Sequence, residues 1–368
     1  MMTISESPSI PLEQAIGPAR ERAAAFLRAL KPDAHIVVFC HFDADGLAAG
    51  ALFGRGLARM GFTGVRVVHS DRGENAFSAA ARDRLAALRP DALIVTDLGV
   101  HRAGVLRGVP TLYVDHHRPE GEPDTPDATV VLAYGWNPIP ASAWLAYELL
   151  SPLVEMDDLA WIAAVGTMGD LGEKAPWDAL PAIRTRWSGK WLREAVSLVN
   201  AARRASAFDV GTPLRMLMEA GGPRAIAGDD ALGAARLRAW RAEVQAELAI
   251  ARKQAPVFSA NQPWALVPIN SACQIHPLIA QQWRTRLPKF AVIAANRGYL
   301  PGIVAFSART QRTDLVLPAL LRAPDIGADG EASFGRGHDQ ASGGHLPAAQ
   351  FNRLTDALGF DTRAQVPG

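Results

Sequence analysis

Apolar runs of five or six residues alternate with helix-period segments through the first third of the chain. That alternation predicts a mostly parallel sheet flanked by helices. His35-Ile36-Val37-Val38-Phe39-Cys40 reads as a buried strand, and Leu47–Met60 as a helix of small residues. Gly64–Val68 predicts a second strand, the stretch from about Asn75 to Leu88 an Ala/Arg helix, Asp91–Thr96 a third strand and Pro110–Val114 a fourth. Pro119–Asp127, rich in Pro and Asp, predicts a surface connection. From about Ala141 the pattern turns helical, over Ser142–Leu150, Asp157–Met168, Trp187–Arg204 and Pro213–Ala220. A long apolar stripe within Asp229–Gln254, through Leu232, Leu237, Trp240, Val244 and Leu248, predicts a helix linking two domains. Strands return at Trp264–Ile269, Phe290–Ala295 and Gly302–Ser307, with helices between them. A Gly-rich segment, Phe334–Gly344, precedes the last helix.

The chain has 368 residues, too many for one ordinary core. The expected fold class is α/β: a parallel-sheet domain with helices on both faces over residues 1–195, a helical linker over 196–255, and a smaller α/β domain over 256–368. Hydrophobic residues at 49% and charged residues at 20% exclude extensive disorder. Lys and Arg number 38 against 37 Asp and Glu, a formal charge of +1, which argues against a protein that coats duplex nucleic acid but leaves local basic patches open. Two distant cysteines, Cys40 and Cys273, exclude a disulfide scaffold and a structural zinc finger. Met1–Pro8 lacks the basic start and apolar run of a signal peptide, and no stretch approaches about 18 uninterrupted apolar residues. A soluble, cytoplasmic protein is expected, and nothing in the sequence excludes a homodimer.

The candidate chemistry sits where strands end. Three consecutive strand-like runs finish in His41/Asp43/Asp45, in Asp97, and in Asp115/His116/His117. In open parallel sheets, ligands bind outside the carboxyl ends of strands. A further acid, Asp170, falls in a Gly-Asp-Leu-Gly stretch read as a turn that backbone can use to approach a ligand. Gathered carboxylates repel one another unless cations neutralise them. A mixed Asp/His set suits Mn²⁺ or Fe²⁺ and suits Mg²⁺ less well. Two such ions about 3.5–4 Å apart clamp a phosphoryl group for in-line displacement. Taken singly, each position has a plainer reading: a lone strand-end Asp is most often a helix cap, and Asp-x-Asp-Gly is shared with calcium loops and phosphatase nucleophiles. The four elements together, in this order, favour the metal reading.

The same residues carry a resemblance. His41-Phe42-Asp43-Ala44-Asp45-Gly46, Asp97, Asp115-His116-His117 and Gly169-Asp170 resemble the four motifs of the DHH phosphoesterase superfamily. That superfamily includes RecJ-type exonucleases, nano-RNases, cyclic-dinucleotide phosphodiesterases and family II pyrophosphatases. The segment Phe334–Gly344 looks like the Gly-Gly-Gly-His and Ala-x-Gly-Gly signature of the associated DHHA1 domain, with Arg336 in place of a glycine. The resemblance spans roughly Lys31 to Leu358.

By similarity, His41 and Asp43 hold one metal, Asp45, His116 and Asp170 the other, and Asp97 bridges both. RecJ-type sequences often carry an acid where this chain has His41. The resemblance makes Asp115 an orienting partner for a neighbouring histidine and His117 a general acid or transition-state stabiliser. In this family the second domain closes over the substrate, with the reaction in the cleft between the domains. His338 and the backbone N–H groups of Gly335, Gly337, Gly343 and Gly344 suit phosphate binding. Arg309 resembles a strand-end Ser-x-Arg that grips phosphate bidentately, and His345 is a further candidate. Asn200, Arg203 and Arg204 resemble a helix near the nucleic-acid path; by residue type alone the two arginines read as a solvated helix face. Trp136, Trp177 and Trp187 could stack on bases, although core packing is the better reading of each. Gly54-Arg55-Gly56 lies inside a helix pattern and is no dinucleotide fingerprint.

The resulting expectation is a phosphodiesterase with two divalent ions, Mn²⁺ first, with Mg²⁺, Fe²⁺ or Co²⁺ as alternatives. It would hydrolyse short single-stranded RNA or DNA oligonucleotides, nano-RNA or linear dinucleotides such as pGpG, by two-metal in-line hydroxide attack. The chain stops soon after its last helix pattern, which on the sequence reading leaves no room for the OB-fold of full RecJ nucleases. A RecJ-like exonuclease on longer single-stranded DNA is the second expectation, and a non-catalytic scaffold at nucleic-acid ends is a third, of another class.

Overall fold

Five parallel strands organise the first half of the molecule. The computed structural model describes residues 9–228, 233–327 and 334–366. The chain divides into two compact units: one runs to Arg203 and includes Asp209–Arg238, and the other comprises Arg204–Phe208 and the chain from Ala239 onward.

The first unit opens with a two-residue strand β1 (Ile10–Pro11) and helix α1 (Leu12–Arg28). Next come β2 (His35–Cys40), α2 (Ala44–Arg59), β3 (Gly64–His69), α3 (Ala79–Ala86), β4 (Ala92–Thr96), β5 (Thr111–Asp115) and β6 (Ala128–Leu132). The last five of these strands form one sheet in the order β3-β2-β4-β5-β6, and every neighbouring pair is parallel. Crossovers cover both faces of such a sheet, so its inner strands read as continuous apolar runs. β4 and β5 are buried along their whole length. On one face Val37, Phe39, Leu93, Val95 and Tyr113 pack with Leu85, Val100 and Val105. A short strand β7 (Trp136–Asn137) pairs with β1. Helices α4 (Ser142–Leu150), α5 (Ala160–Asp170), α6 (Leu180–Trp187), α7 (Gly189–Arg204), α8 (Gly211–Glu219) and α9 (Arg224–Ala227) follow.

Several boundaries differ from the sequence reading, each for a local reason. α2 begins three residues before Leu47, because the Asp43 carboxylate accepts from the N–H groups of Asp45 and Gly46 and so caps the helix inside the acidic motif. Asp170 is the last residue of α5, not part of a turn. The helix expected from Trp187 to Arg204 starts at Gly189, because Trp187 ends α6 and Ser188 takes φ 65° between the two. β6 and α1 went unpredicted. The Ala128–Leu132 run is short and follows a turn-rich loop, and α1 is too polar on average to stand out by hydrophobicity.

Helix α10 (Ala234–Ala251) covers the described part of the Asp229–Gln254 stripe; residues 229–232, with Leu232, lie outside the described residues. The second unit then holds β8 (Val257–Phe258), β9 (Trp264–Ile269), α11 (His276–Arg286), β10 (Ala291–Leu300), β11 (Ile303–Thr310), α12 (Leu317–Arg322), β12 (Phe334–His338), β13 (Ala341–Pro347) and α13 (Ala348–Ala357). The sheet order is β12-β13-β11-β10-β9-β8, with β9 and β10 parallel and the other pairs antiparallel. Alternate residues of β9 and β10 feed two separate cores, as the period of a strand requires. Trp264, Leu266 and Ile293 join Phe306, Phe351 and Leu354 on one face, whereas Ala265, Val267 and Val292 join Ile279, Ala280 and Val244 on the other. Among the described residues no helix is long and apolar enough to cross a membrane.

Candidate metal centre

β2, β4 and β5 lie side by side, so the residues just past their carboxyl ends are brought together. His41 and Asp43 come after β2, Asp97 comes after β4, and Asp115 closes β5 ahead of His116 and His117. His41 Nδ1 lies 3.3 Å from Asp43 Oδ1 and 3.5 Å from Asp97 Oδ2. His116 Nε2 lies 3.4 Å from Asp97 Oδ1, and its Nδ1 lies 3.8 Å from Asp170 Oδ2. Three groups, His41/Asp43/Asp97, Asp45/His116/Asp170 and Asp97/His116/His117, each offer ligand atoms within 4.8 Å of one another. Asp97 and His116 each belong to two of them.

The backbone around these groups is specialised. Asp97 has φ 63°, a left-handed conformation uncommon for a residue with a side chain and typical of functional turns. Gly46 sits so close to the preceding turn that a Cβ there would stand 2.5 Å from His41 Cβ and 2.6 Å from His41 O. Glycine is what allows α2 to start against the His41 backbone. Asp45 is buried, and its two oxygens accept from the N–H groups of Ser142 (2.7 Å) and Ala143 (2.8 Å), at the start of α4. A carboxylate retains further lone pairs after two such bonds. The Ser142 hydroxyl donates to Asp97 Oδ1 at 3.0 Å. Ser142 was missed in the sequence, where a serine opening a helical pattern reads only as a cap.

Asp115 is turned away from the cluster. It accepts from Gly99 N (2.7 Å), His117 N (2.7 Å) and His117 Nδ1 (3.0 Å). Burial works to push its pKa up, but the hydrogen bond and charge of His117 outweigh this and hold it down to about 2. Burial likewise opposes charge on His41 and His116, yet the facing carboxylates, Asp43 and Asp97 for one and Asp97, Asp45 and Asp170 for the other, raise both to about 10. Burial and the neighbouring Asp97 and Asp170 push Asp45 well above the carboxylate range. Asp43 is burdened by burial too, but His41 and Arg203 bring it well below that range. Without cations, burial and the crowding of carboxylates thus favour protons on His41, His116 and Asp45.

Divalent metal ions fit these residues. His41 Nδ1 and His116 Nε2 are buried with no hydrogen-bond partner, an arrangement that costs free energy unless something else meets the lone pair. Each faces a carboxylate oxygen, at 3.3 Å and 3.4 Å, without making a hydrogen bond. A cation would displace the protons and complete both nitrogens.

α7 contributes two more residues. Asn200 is 5% exposed; its Oδ1 accepts from Arg203 Nε at 2.9 Å, and its amide stands against Gly169. Arg203 acts on Asp43 through its charge. Arg203 and Arg204 are both half-buried, so neither lies on a fully solvated helix face. Arg204 belongs to the second unit, where its carbonyl accepts from Gln274 N.

In the second unit Arg309 lies on β11, with Nη1 donating to Ser307 Oγ, Ala308 O and Ser342 O. Nε and Nη2 have no partner among the described residues. Burial and the nearby Arg284 lower the Arg309 pKa to about 10, so it stays charged at neutral pH. The Phe334–Gly344 segment is a pair of antiparallel strands, with a register shift between Phe334 and Arg336. Gly335 and Gly337 lie on β12, and Gly343 and Gly344 on β13 opposite Ser307 and Phe306. Backbone N–H groups there are shared with neighbouring strands, not gathered in a loop. His338 ends β12, and its side chain lies outside the described residues. His345 is on β13, its pKa lowered by burial. Trp136 and Trp177 are buried, Trp177 stacking on Trp144 at 5.4 Å, and half-buried Trp187 packs against Gly222, so the first two offer no face for bases.

A parallel α/β sheet with an Asp/His centre across its strand ends defines a class, and comparison with known proteins says which. Residues 35–167 match the DHH family, N-terminal domain. This part of the chain is thus similar to DHH-family N-terminal domains. The single-stranded-DNA-specific exonuclease RecJ of Thermus thermophilus is 31% identical over 179 residues, 43% of this chain and 26% of that protein. The match thus spans about a quarter of the relative's length. In fold, the chain is similar to the crystal structure of an exonuclease RecJ bound to manganese (TM-score 0.66, 21% identity, 93% of each chain). It is similar too to the Thermus thermophilus RecJ in complex with Mn²⁺ (TM-score 0.67, 22% identity, 93% of this chain and 54% of that one).

Proposed function

We propose that the protein is a divalent-metal phosphodiesterase, with Mn²⁺ as its first choice, that hydrolyses short single-stranded oligonucleotides: nano-RNA or linear dinucleotides such as pGpG. The observation that carries this is the sharing of Asp97 and His116 between ligand groups, which suits two neighbouring ions. His41, Asp43 and Asp97 would hold one ion, and Asp45, His116 and Asp170, with Asp97 shared, the other. Bound there, the ions supply Lewis-acid charge to a phosphoryl group and make water a better nucleophile.

The chain's own residues do the rest. Asp115 engages His117 Nδ1 and so orients the ring, which is 42% exposed, for proton exchange with a substrate oxygen. Asn200 and Arg203 offer an amide and a cation beside Asp43 for the substrate phosphate. Arg309, with part of its guanidinium unused, is the second unit's candidate for a phosphate contact, along with the Gly335–Gly344 strands and His338. A formal charge of +1 favours short substrates over long strands held by many phosphate contacts.

The second reading, exonuclease action on longer single-stranded DNA, draws on what the Thermus thermophilus relative is named for. One experiment separates them: Mn²⁺ with 5′-labelled RNA and DNA of two, five and twenty nucleotides, and cyclic dinucleotides, on native protein and Asp97→Ala. The proposal expects the two- and five-mers to be cut fastest. Preference for twenty-mer DNA selects the exonuclease. If native protein cuts nothing that Asp97→Ala does not, the non-catalytic scaffold is the better description.

A further inference from the structure

On the first unit, away from the metal cluster's residues, a groove of about 580 Å³ runs along β3. β3 is an edge strand, bonded only to β2. Five consecutive residues of it, Val65, Arg66, Val67, Val68 and His69, line the groove. Successive strand side chains point to opposite faces, so a wall made of consecutive residues is the strand's open edge and not one of its faces. Among the described residues no backbone or side-chain group bonds to the outer edge over Val65–Val68; the nearest such contact is Arg84 Nη2 to His69 O at 3.1 Å.

The opposite wall is α8. Its groove residues, Gly211, Leu214, Arg215 and Met218, recur at the spacing that keeps side chains on a single helix face. Gly54 and Ala58 of α2 and buried Phe62 form an apolar floor. An edge strand facing a helix across an apolar floor is the geometry that receives an extended peptide as an added strand, with alternate side chains entering the groove. Six strand residues at about 3.3 Å each give roughly 20 Å of edge.

Charge selects the occupant. The lining includes Arg66, His69, Arg84 and Arg215 and no acidic residue. Arg84 is already paired with Glu74, but Arg66 and Arg215 are exposed and meet no carboxylate among the described residues. Two copies of this chain joined edge to edge would bring those cations against each other, which disfavours self-pairing.

We propose that this groove is a docking site for an extended acidic segment of a partner protein, alternating carboxylate and apolar side chains, which adds to β3 as a sixth strand. The carboxylates pair with Arg66 and Arg215 and the apolar side chains enter between Val65, Val67, Leu214 and Met218. The site is independent of the chemistry at the metal cluster.

The test uses the whole protein and a fluorescein-labelled peptide, Asp-Val-Asp-Ile-Asp-Val-Asp. Fluorescence anisotropy should show saturable binding, at least tenfold weaker for the R66E/R215E double variant and for the same peptide with Lys at the Asp positions. N-methylation of alternate peptide bonds keeps the charge but removes strand hydrogen bonds, and it should abolish binding. Hydrogen exchange should slow at Val65–Val68 when the peptide is bound. Equal binding of the N-methylated peptide, absence of protection on β3, or no saturable binding to the native protein would each overturn the proposal. So would a concentration-dependent dimer whose formation protects β3, since the groove would then belong to a second copy.

Discussion

Asp97 takes contacts from several directions: it is reached by His41, His116 and His117 at ion-pair distance and by the Ser142 hydroxyl at 3.0 Å, on a backbone held at φ 63°. Ser142 tests how much that support matters. Ser142→Ala removes the hydroxyl but keeps the backbone N–H that holds Asp45, so Asp97 alone loses a restraint. Supporting hydrogen bonds of this kind typically affect metal affinity by about 10–100-fold, and a Mn²⁺ titration by calorimetry should show a loss of that size with little change in thermal stability. The acids and histidines were legible in the sequence because a parallel sheet gathers strand ends whatever its details. Ser142 and Asn200 were not, since a serine at a helix start and an asparagine within a helix become functional only through what tertiary packing sets beside them. His41 could be read as a ligand candidate from its place after β2, but its unpartnered Nδ1 could be seen only in three dimensions.

At the scale of elements, the centre depends on how closely α4 and α5 approach α2. Gly166 lies in the middle of α5, where an added Cβ would stand 2.3 Å from Ala143 Cβ and 2.9 Å from both Ala48 Cβ and Asp45 Oδ1. Gly166→Ala must push α5 off its neighbours and disturb Asp45. Overpacking of this kind costs about 1–3 kcal/mol, readable as a lower urea midpoint together with weakened Mn²⁺ binding. Ala143→Gly in the same chain should restore part of both, because it removes the nearest obstacle. Such an approach leaves little mark in the sequence: Gly166 sits in an apolar helix pattern like any small residue. The strands were easier, since β2, β4 and β5 are buried on both faces and their apolar runs are nearly continuous. The acidic motif was read as ending a strand, and the structure adds that Asp43 also begins the helix, a dual role that sequence spacing alone does not separate.

For the molecule as a whole, composition was a poor guide to chemistry. A formal charge of +1 averages a carboxylate cluster in one unit with arginines spread elsewhere. All the ligand groups belong to the first unit, so metal should stabilise that part of the chain by mass action. At a hundredfold excess over its dissociation constant, one ion contributes about 2.7 kcal/mol. Dialysis against EDTA should therefore lower the midpoint of thermal unfolding by several degrees, and added Mn²⁺ should restore it; an unchanged midpoint would speak against preformed metal sites.

The meeting of α4 and α5 has one more effect. α4 presents its N-terminal end to Asp45, and α5 closes on Asp170 with its C-terminal end. Aligned peptide dipoles give these ends opposite polarity, partly positive for α4 and partly negative for α5. The field across the centre is thus lopsided. Within the Asp45/His116/Asp170 group the positive end of α4 at Asp45 opposes a cation and the negative end of α5 at Asp170 attracts it. An ion held by Asp45, His116 and Asp170 should therefore be drawn toward Asp170, and Asp170→Asn should weaken Mn²⁺ binding in a calorimetric titration.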